Sequence, residues 1–495
     1  MDRIKFGIQG ILIAACLISI STPLQSRVIH VPQDYPTIGE GIAHAMGHDG
    51  DEIIVSPGVY AESGVGFGGS NFNLHSVDPT NWAVVAQTII KPPPGSQLPY
   101  DVIGFAGTEN STSRVAGFTI TGGGTGVWGK GCHATIEYNH IYGNKAVAIL
   151  DGPATGGGIS GCDGLIQNNI IELNEAEIGG GLVGCYGVIQ NNIIARNVCH
   201  HNPLQTLHLG TGFGAGFYGC TGTIHNNTIV DNVVWDNGAG KLTGGGGVAA
   251  CTGAKFFNNI LWMSNPALVP EYAGTPDPSY SLVKGWTGGG VGNFDKDPRL
   301  GDVAFEGSIM GNIGTSPSLA RKNDYRLKPD SPCIDAGVTT GSLTTDVSGT
   351  PRGKVWRTQS GRGDGTHMDI GAYEFNPGPL SLWVPAEDEP GLSGQMLAVD
   401  WAMPVPDAPT SITVQLFKGD LIVADYGLFA LPPGAHDVFE SAVPSQVRLP
   451  AYLADGSDYL LQGRATTGDP PWTQSFAFSI VHQNAVEGRA WALYF

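Results

Sequence analysis

The chain has 495 residues and a formal net charge of −19, with 41% hydrophobic residues, only 14% charged residues and 74 glycines. That length suits two or three domains with a sizeable core, and so much glycine with so little charge excludes helix bundles and disordered tails in favour of a chain full of turns. The acidic balance excludes nucleic acid as a partner and sets the surface against anionic lipid and bare polyuronate.

Residues 1–26 carry Arg3 and Lys5, an apolar run from Phe6 to Ile20, then small and polar residues to Ser26. This is the pattern of a secretory signal. The run is shorter than a membrane span needs, and no other stretch reaches about 18 apolar residues, so an exported, soluble protein without a membrane span is predicted. Within the run, "IAAC" at Ile13–Cys16 resembles a bacterial lipoprotein box and makes Cys16 a minor candidate for a lipid anchor, although the apolar stretch continues past it.

Residues 27–62 predict a cap. A strand follows Arg27, the capping box Thr37-x-x-Glu40 opens a short helix to about Met46, a second strand covers Glu52–Val55, and Pro57-Gly58 turns into the next element.

From Gly126 the chain repeats itself. "GVWGKGCHATIEYNHIYGN" (126–144), "GGGISGCDGLIQNNIIELN" (156–174), "GGGLVGCYGVIQNNIIARN" (179–197), "GAGFYGCTGTIHNNTIVDN" (214–232) and a looser "GGGVAACTGAKFFNNILWMSN" (245–265) align on one column of cysteines, Cys132, Cys162, Cys185, Cys220 and Cys251. Two asparagine columns follow, Asn139/Asn169/Asn192/Asn227 and Asn144/Asn174/Asn197/Asn232. A period near 23 residues with short apolar runs broken by Gly or Asn is the signature of a stacked solenoid. Leucine-rich repeats share the period but need leucine at slots that here hold Ile, Gly and Asn, so a parallel β-helix is predicted, all-β, with coils pairing strand on strand. The cysteines read as a reduced, buried ladder, because parallel Cβ vectors make a disulfide torsion awkward. The asparagines read as structural too, tolerating left-handed turns and bonding along the axis.

The gaps between copies all fall at one place, and insertions at one slot emerge on one edge of a solenoid. They are 145–155, 175–178, 198–213 and 233–244. Loops raised on a rigid scaffold are where binding and catalysis tend to lie. Asp151, Glu175, Glu177, Asp236 and Lys241 lie in these loops, and Arg196 just before one; these six are the catalytic candidates. Trp235, as a sugar-stacking platform, and His200, His201 and His208 are the substrate-binding candidates, and Cys199 with these histidines offers transition-metal donors, against the plainer reading of solvated loop histidines. Asp231 sits on the outer face just before its loop. Among the basic residues, Arg196, Lys130, Lys145, Lys241 and Lys255 lie in or beside the loop-bearing coils.

Residues 266–291 read as a looser coil, and 293–375 as the final coils. "NPGPL" (376–380) is a linker, after which glycine thins and alternation such as Ile412/Val414/Leu416 and Phe476/Phe478/Ile480 predicts a small antiparallel β-sandwich over 381–495.

Residues 27–62 and "SRVAGFTITGG" (113–123) resemble the cap and recurring coil of secreted right-handed parallel β-helix proteins, the superfamily of pectate lyases and pectin methylesterases. "NFDKDPRL" (293–300), "DYRLKPDSPCIDAG" (324–337), "DVSGTPR" (346–352) and "DIGAYEF" (369–375) resemble the bacterial choice-of-anchor Q region, within which Asp335, Asp346, Arg352 and Asp369 look like turn and salt-bridge residues of the final coils. "VQLFKGDLIV" (414–423) and "LPAYLADGSDYLLQGRA" (449–465) resemble a Ser/Thr-rich cell-surface β-sandwich family.

These resemblances imply a right-handed helix and a bacterial extracellular or cell-surface protein. They leave two functions. One is a rod that binds a polysaccharide, a cell-surface glycan or a partner through its loop edge, with the sandwich as anchor or tip. The other is a polysaccharide lyase or glycoside hydrolase in the same groove. A lyase needs a Lys or Arg base, with Ca²⁺ neutralising the substrate carboxylate, and a glycosidase needs two facing carboxyls.

Overall fold

The structure is a computed structural model, and it describes residues 26–96, 101–147, 154–200, 214–235, 245–262, 272–273, 276–301, 325–328, 331–341, 343–353 and 363–375, then only the strands between 381 and 481. The predicted signal segment and the Cys16 anchor candidate lie outside the described residues. Among those that are described, no helix is long and apolar enough to cross a membrane.

The chain is a parallel β-helix. Among the described residues three long sheets run side by side: sheet A, nine strands from Val28–Val31 to Lys255–Phe257; sheet B, nine from Gly58–Ala61 to Leu282–Val283; and sheet C, eight from Val65–Gly66 to Tyr272–Ala273. One coil passes through C, A and B in that order, as Ile159–Cys162, Leu165–Gln167 and Ile170–Glu172 illustrate, and each strand pairs in parallel with its counterpart a coil away.

The repeat is legible as corners. In the coil after Ile159 the left-handed residues are Gly161, Asn168 and Leu173, and in the next Gly184, Asn191 and Arg196. Each turns the chain, and the following residue points inward, which generates the Cys column and both Asn columns. Leu173, Arg196 and Asp231 hold the third corner with φ of 54–55° despite their Cβ atoms, a conformation costing about 1 kcal/mol that the stacked coils impose.

The interior is apolar and closed. Ile136, Ile166, Ile189 and Ile224 stack from sheet A, Ile141, Ile171, Ile194 and Ile229 from sheet B, and Val127, Ile159, Leu182 and Phe217 from sheet C, all fully buried. The asparagines supply the polar fastening. Asn139 Nδ2 donates to Asn169 Oδ1, Asn169 to Asn192, Asn192 to Asn227 and Asn227 to Asn259 at 3.0–3.1 Å. A second ladder runs Asn144, Asn174, Asn197, Asn232 at similar distances. The second amide hydrogen reaches backbone carbonyls, as Asn192 Nδ2 does at Ile166 O and Gln190 O, so these buried amides are satisfied, as burial demands. The first ladder ends where Asn259 N meets Ser281 Oγ and Ser281 N meets Asn293 Oδ1. All seven described cysteines are buried thiols outside any disulfide.

The N-terminal helix Ile38–Ala45 covers the open end with Ile38, Ile42 and Ala45. Thr37 Oγ1 caps Glu40 N as the sequence predicts, but the other half of the cap comes from Glu62, whose carboxylate accepts from Ile38 N and Gly39 N.

The far end differs from a run of last coils. Phe294 adds one parallel bridge beside Leu282. The described residues between 325 and 375 then lie as a strap over the outside of sheet B, where Leu327, Ile334, Val347, Ile370 and Phe375 pack on Ile193, Val230, Ile260 and Trp262 in a second apolar core. The corner asparagines hold it: Asn191, Asn226 and Asn258 donate to the carbonyls of Thr345, Asp369 and Val338. Sheet B has apolar residues on both faces there, as a sheet covered on both sides should. Arg352 and Glu374, 1% and 2% exposed, form an ion pair inside the strap, and Asp346 and Asp369 accept backbone N–H groups there.

Beyond 380 the described strands form a sheet of three, from Ser381–Trp383, Met396–Ala402 and Ser445–Arg448, and a larger one built on the antiparallel strands Ser411–Lys418, Leu421–Ala430 and Gly456–Ala465.

Candidate functional site

The predicted loop edge begins with a fourth, three-stranded parallel sheet of Glu175–Ala176, Val198–His200 and Val233–Trp235. Its register places His200 beside Trp235, and Cys199 beside Ala176 and Val234. Cys199 is buried against Ala215, Val234 and Ile178, and burial pushes its thiol up to about 12. It is therefore a core thiol, unsuited to ligating at neutral pH. Glu175 pairs with Lys145 at 2.5 Å, and Glu177 Oε2 accepts from Ala154 N at 3.3 Å. Asp151, His201, His208, Asp236 and Lys241 lie outside the described residues.

Arg196 is where the structure gathers charge. Its Nη2 meets Glu172 Oε2 at 2.7 Å, while His140 Nε2 lies 3.0 Å from Glu172 Oε1. Tyr325 of the strap lies within reach of the guanidinium's charge, and the field of Arg196 reaches Asp231 in the next coil. Burial opposes ionisation of Glu172, but the bond to His140 and the charge of Arg196 outweigh it and hold this carboxyl below its usual range. Burial dominates at Asp231 and pushes its carboxyl up to about 7, against the pull of Arg196. Two carboxyls near one cation are thus driven apart, one a standing carboxylate and the other a proton donor near neutral pH, which is how acid and base roles are divided. Glu172, His140 and Tyr325 escape sequence reasoning because nothing in one dimension says that residues 24 or 32 apart share a rung.

A groove opens on the outer face of sheet C, away from the predicted loops. It holds about 280 Å³ and is lined by Gly66, Gly104, Phe105, Asp101 and Trp128 among others. Gly66, Gly104 and Trp128 stand in register on adjacent strands, so two bare rungs lie beside an indole that is 40% exposed. A Cβ on Gly104 would meet nothing within 4 Å, so the groove exists because that side chain is missing. Lys130 Nζ sits 4.4 Å from the Trp128 ring centroid. Burial raises the Asp101 carboxyl, with Thr125 hydrogen bonds and the Lys130 charge opposing.

The placement of Trp128 and Lys130 depends on a bulge. Trp128 pairs with Ser160 and Cys132 with Cys162, so the earlier strand carries two extra residues between its matched positions. Lys130 takes φ 52° within it, and such bulges re-aim side chains. Alignment on the cysteines hides this shift, since it sets Val127 against Gly157 where the sheet pairs it with Ile159.

Among the described residues no three His, Cys, Asp or Glu side chains converge as a metal site. Comparison of the chain with protein-family models, with curated proteins and with solved structures found no match.

Proposed function

We propose that the chain is an exported bacterial β-helix that binds glycan at the cell surface or outside the cell. The observation that carries this reading is the groove on sheet C, where exposed Trp128 flanks the bare backbone of Gly66 and Gly104. An indole face beside an unobstructed strip suits the flat face of a sugar ring, and apolar grooves with few polar groups are the usual form of small-ligand sites. The signal-like residues 1–26 support export. The likeness of the cap to right-handed pectate-lyase-like helices, and of 293–375 to the choice-of-anchor Q region, supports a surface location with the C-terminal sheets as a sandwich-like anchor or tip. Titration calorimetry against a panel of soluble oligosaccharides tests the reading. Wild type should bind at least one, and both Trp128→Ala and Gly104→Leu should abolish that binding without changing the fold. Binding that survives both substitutions would remove the groove from the function.

One observation favours an enzyme as the second reading. Asp231 and Glu172 flank Arg196 with protonation states pushed in opposite directions, as the acid and base of a glycoside hydrolase are. Release of reducing ends from a polysaccharide panel, lost in Asp231→Asn, would support hydrolysis. An unsaturated, ultraviolet-absorbing product would indicate a lyase instead.

A further inference from the structure

We propose that the groove beside Trp128 selects a glycan carrying free ammonium groups, an amino sugar without N-acylation, and that Lys130 occupies the ammonium position while the groove is empty. The inference rests on the glycan reading above and adds the charge of the sugar.

The face of Trp128 already holds a cation. Lys130 Nζ lies 4.4 Å from the ring centroid, within the range where an ammonium is drawn to the ring quadrupole. The same ammonium is felt by Asp101, which lines the groove, so indole and carboxylate both act on one cation position. Lys130 reaches it from a bulge with a left-handed backbone, a local feature that the next coil lacks. Its side chain is exposed and tethered only by flexible methylenes, so a ligand can displace it into solvent. The rest of the lining is glycine backbone, Phe105 and Ala106, which suits sugar methines and repels no charge.

The alternatives fare worse on charge. An anionic sugar would have to face Asp101 in the groove and a chain of net charge −19. A neutral sugar would gain the stacking but leave Lys130 competing for the ring. An ammonium gains the ring, Asp101 and the long-range field together.

The test is calorimetric titration of the full chain with glucosamine, N-acetylglucosamine and galacturonate oligosaccharides of equal length. The free-amine series should bind about tenfold more tightly than the N-acetylated one, the difference that one cation–π contact with a nearby carboxylate supports. Asp101→Asn should weaken it several-fold, and Lys130→Ala should strengthen it by removing the competitor. Galacturonate binding that is lost in Lys130→Ala would overturn the proposal, and so would equal affinity for free and N-acetylated sugars, which leaves the glycan reading intact. If no sugar binds but tetramethylammonium does, in wild type and not in Trp128→Ala, the cation site stands and the glycan reading falls.

Discussion

Arg352 and Asn191, 161 residues apart in the chain, meet at 2.7 Å, the guanidinium Nη2 donating to the corner amide Oδ1. The same guanidinium serves the carbonyls of Gly371 and Ala372 and the carboxylate of Glu374. One side chain thus ties the strap to the second corner of a coil, between sheets A and B, that the repeat alone would leave bare.

Arg352→Met should therefore loosen the strap. It strands the buried Glu374 carboxylate and the Asn191 amide, and breaking a buried pair from one side costs about 3–5 kcal/mol. Hydrogen exchange should show lost protection over 331–375 while the inner rungs of sheets A and C stay protected. Uniform loss over the whole helix would mean that the strap is integral to the coil stack.

The two adjacent asparagines of each repeat should respond differently. Asn192→Ala removes the acceptor for Asn169 N and Nδ2 and three donations of its own, and leaving such buried groups unpaired should cost about 3 kcal/mol or more in denaturant titrations. Asn168 holds a left-handed corner with its Oδ1 unbonded, so Asn168→Gly should cost under about 1 kcal/mol. Equal losses would refute the division of labour.

Two buried groups should shape stability against pH in opposite directions. Asp231, raised to about 7, contributes stability that is full below its unfolded value of 3.8 and is lost as pH rises through about 7. Asp231→Asn should then gain on wild type above neutrality, by roughly 2–4 kcal/mol at pH 8 or above, with no gain near pH 4. His225, lowered to about 4 by burial, contributes stability present above its unfolded value of 6.5 and lost as pH falls toward 4. His225→Gln should flatten the acid limb. Parallel denaturation curves for wild type and both variants across pH would contradict these assignments.

The cysteine column should be chemically silent. Burial drives the thiols of Cys162, Cys220 and Cys199 above their ordinary range, and at Cys185 the bond to Cys220 does so first, with burial adding to it. Thiolates are the reactive form. Native protein should resist alkylation by iodoacetamide near neutral pH, and the seven described cysteines should all react once it is denatured. Rapid labelling of the folded protein would show that the interior opens. Cys132, whose bond with Cys162 lowers its thiol, should lead any slow labelling.

The sequence by itself determined the coil. Its repeat length is one turn of the stack, so every inward slot of a turn appears as a column in one dimension: Cys132 over Cys162, Asn169 over Asn192. The cap helix was legible for the same reason, since Thr37 and Glu40 lie within one turn of each other. Only the tertiary structure decided where the working surfaces lie. Rungs are joined by register, and register shifts with each insertion and bulge. Lys130 reaches Trp128 through two extra residues that a cysteine alignment absorbs, and Arg196 finds Glu172 and Asp231 only because three coils stack. The strap follows no period at all. It is held by apolar burial and by corner amides 143 and 161 residues away, a contact that sequence spacing cannot encode because closing such a loop is fixed by packing and not by any local pattern.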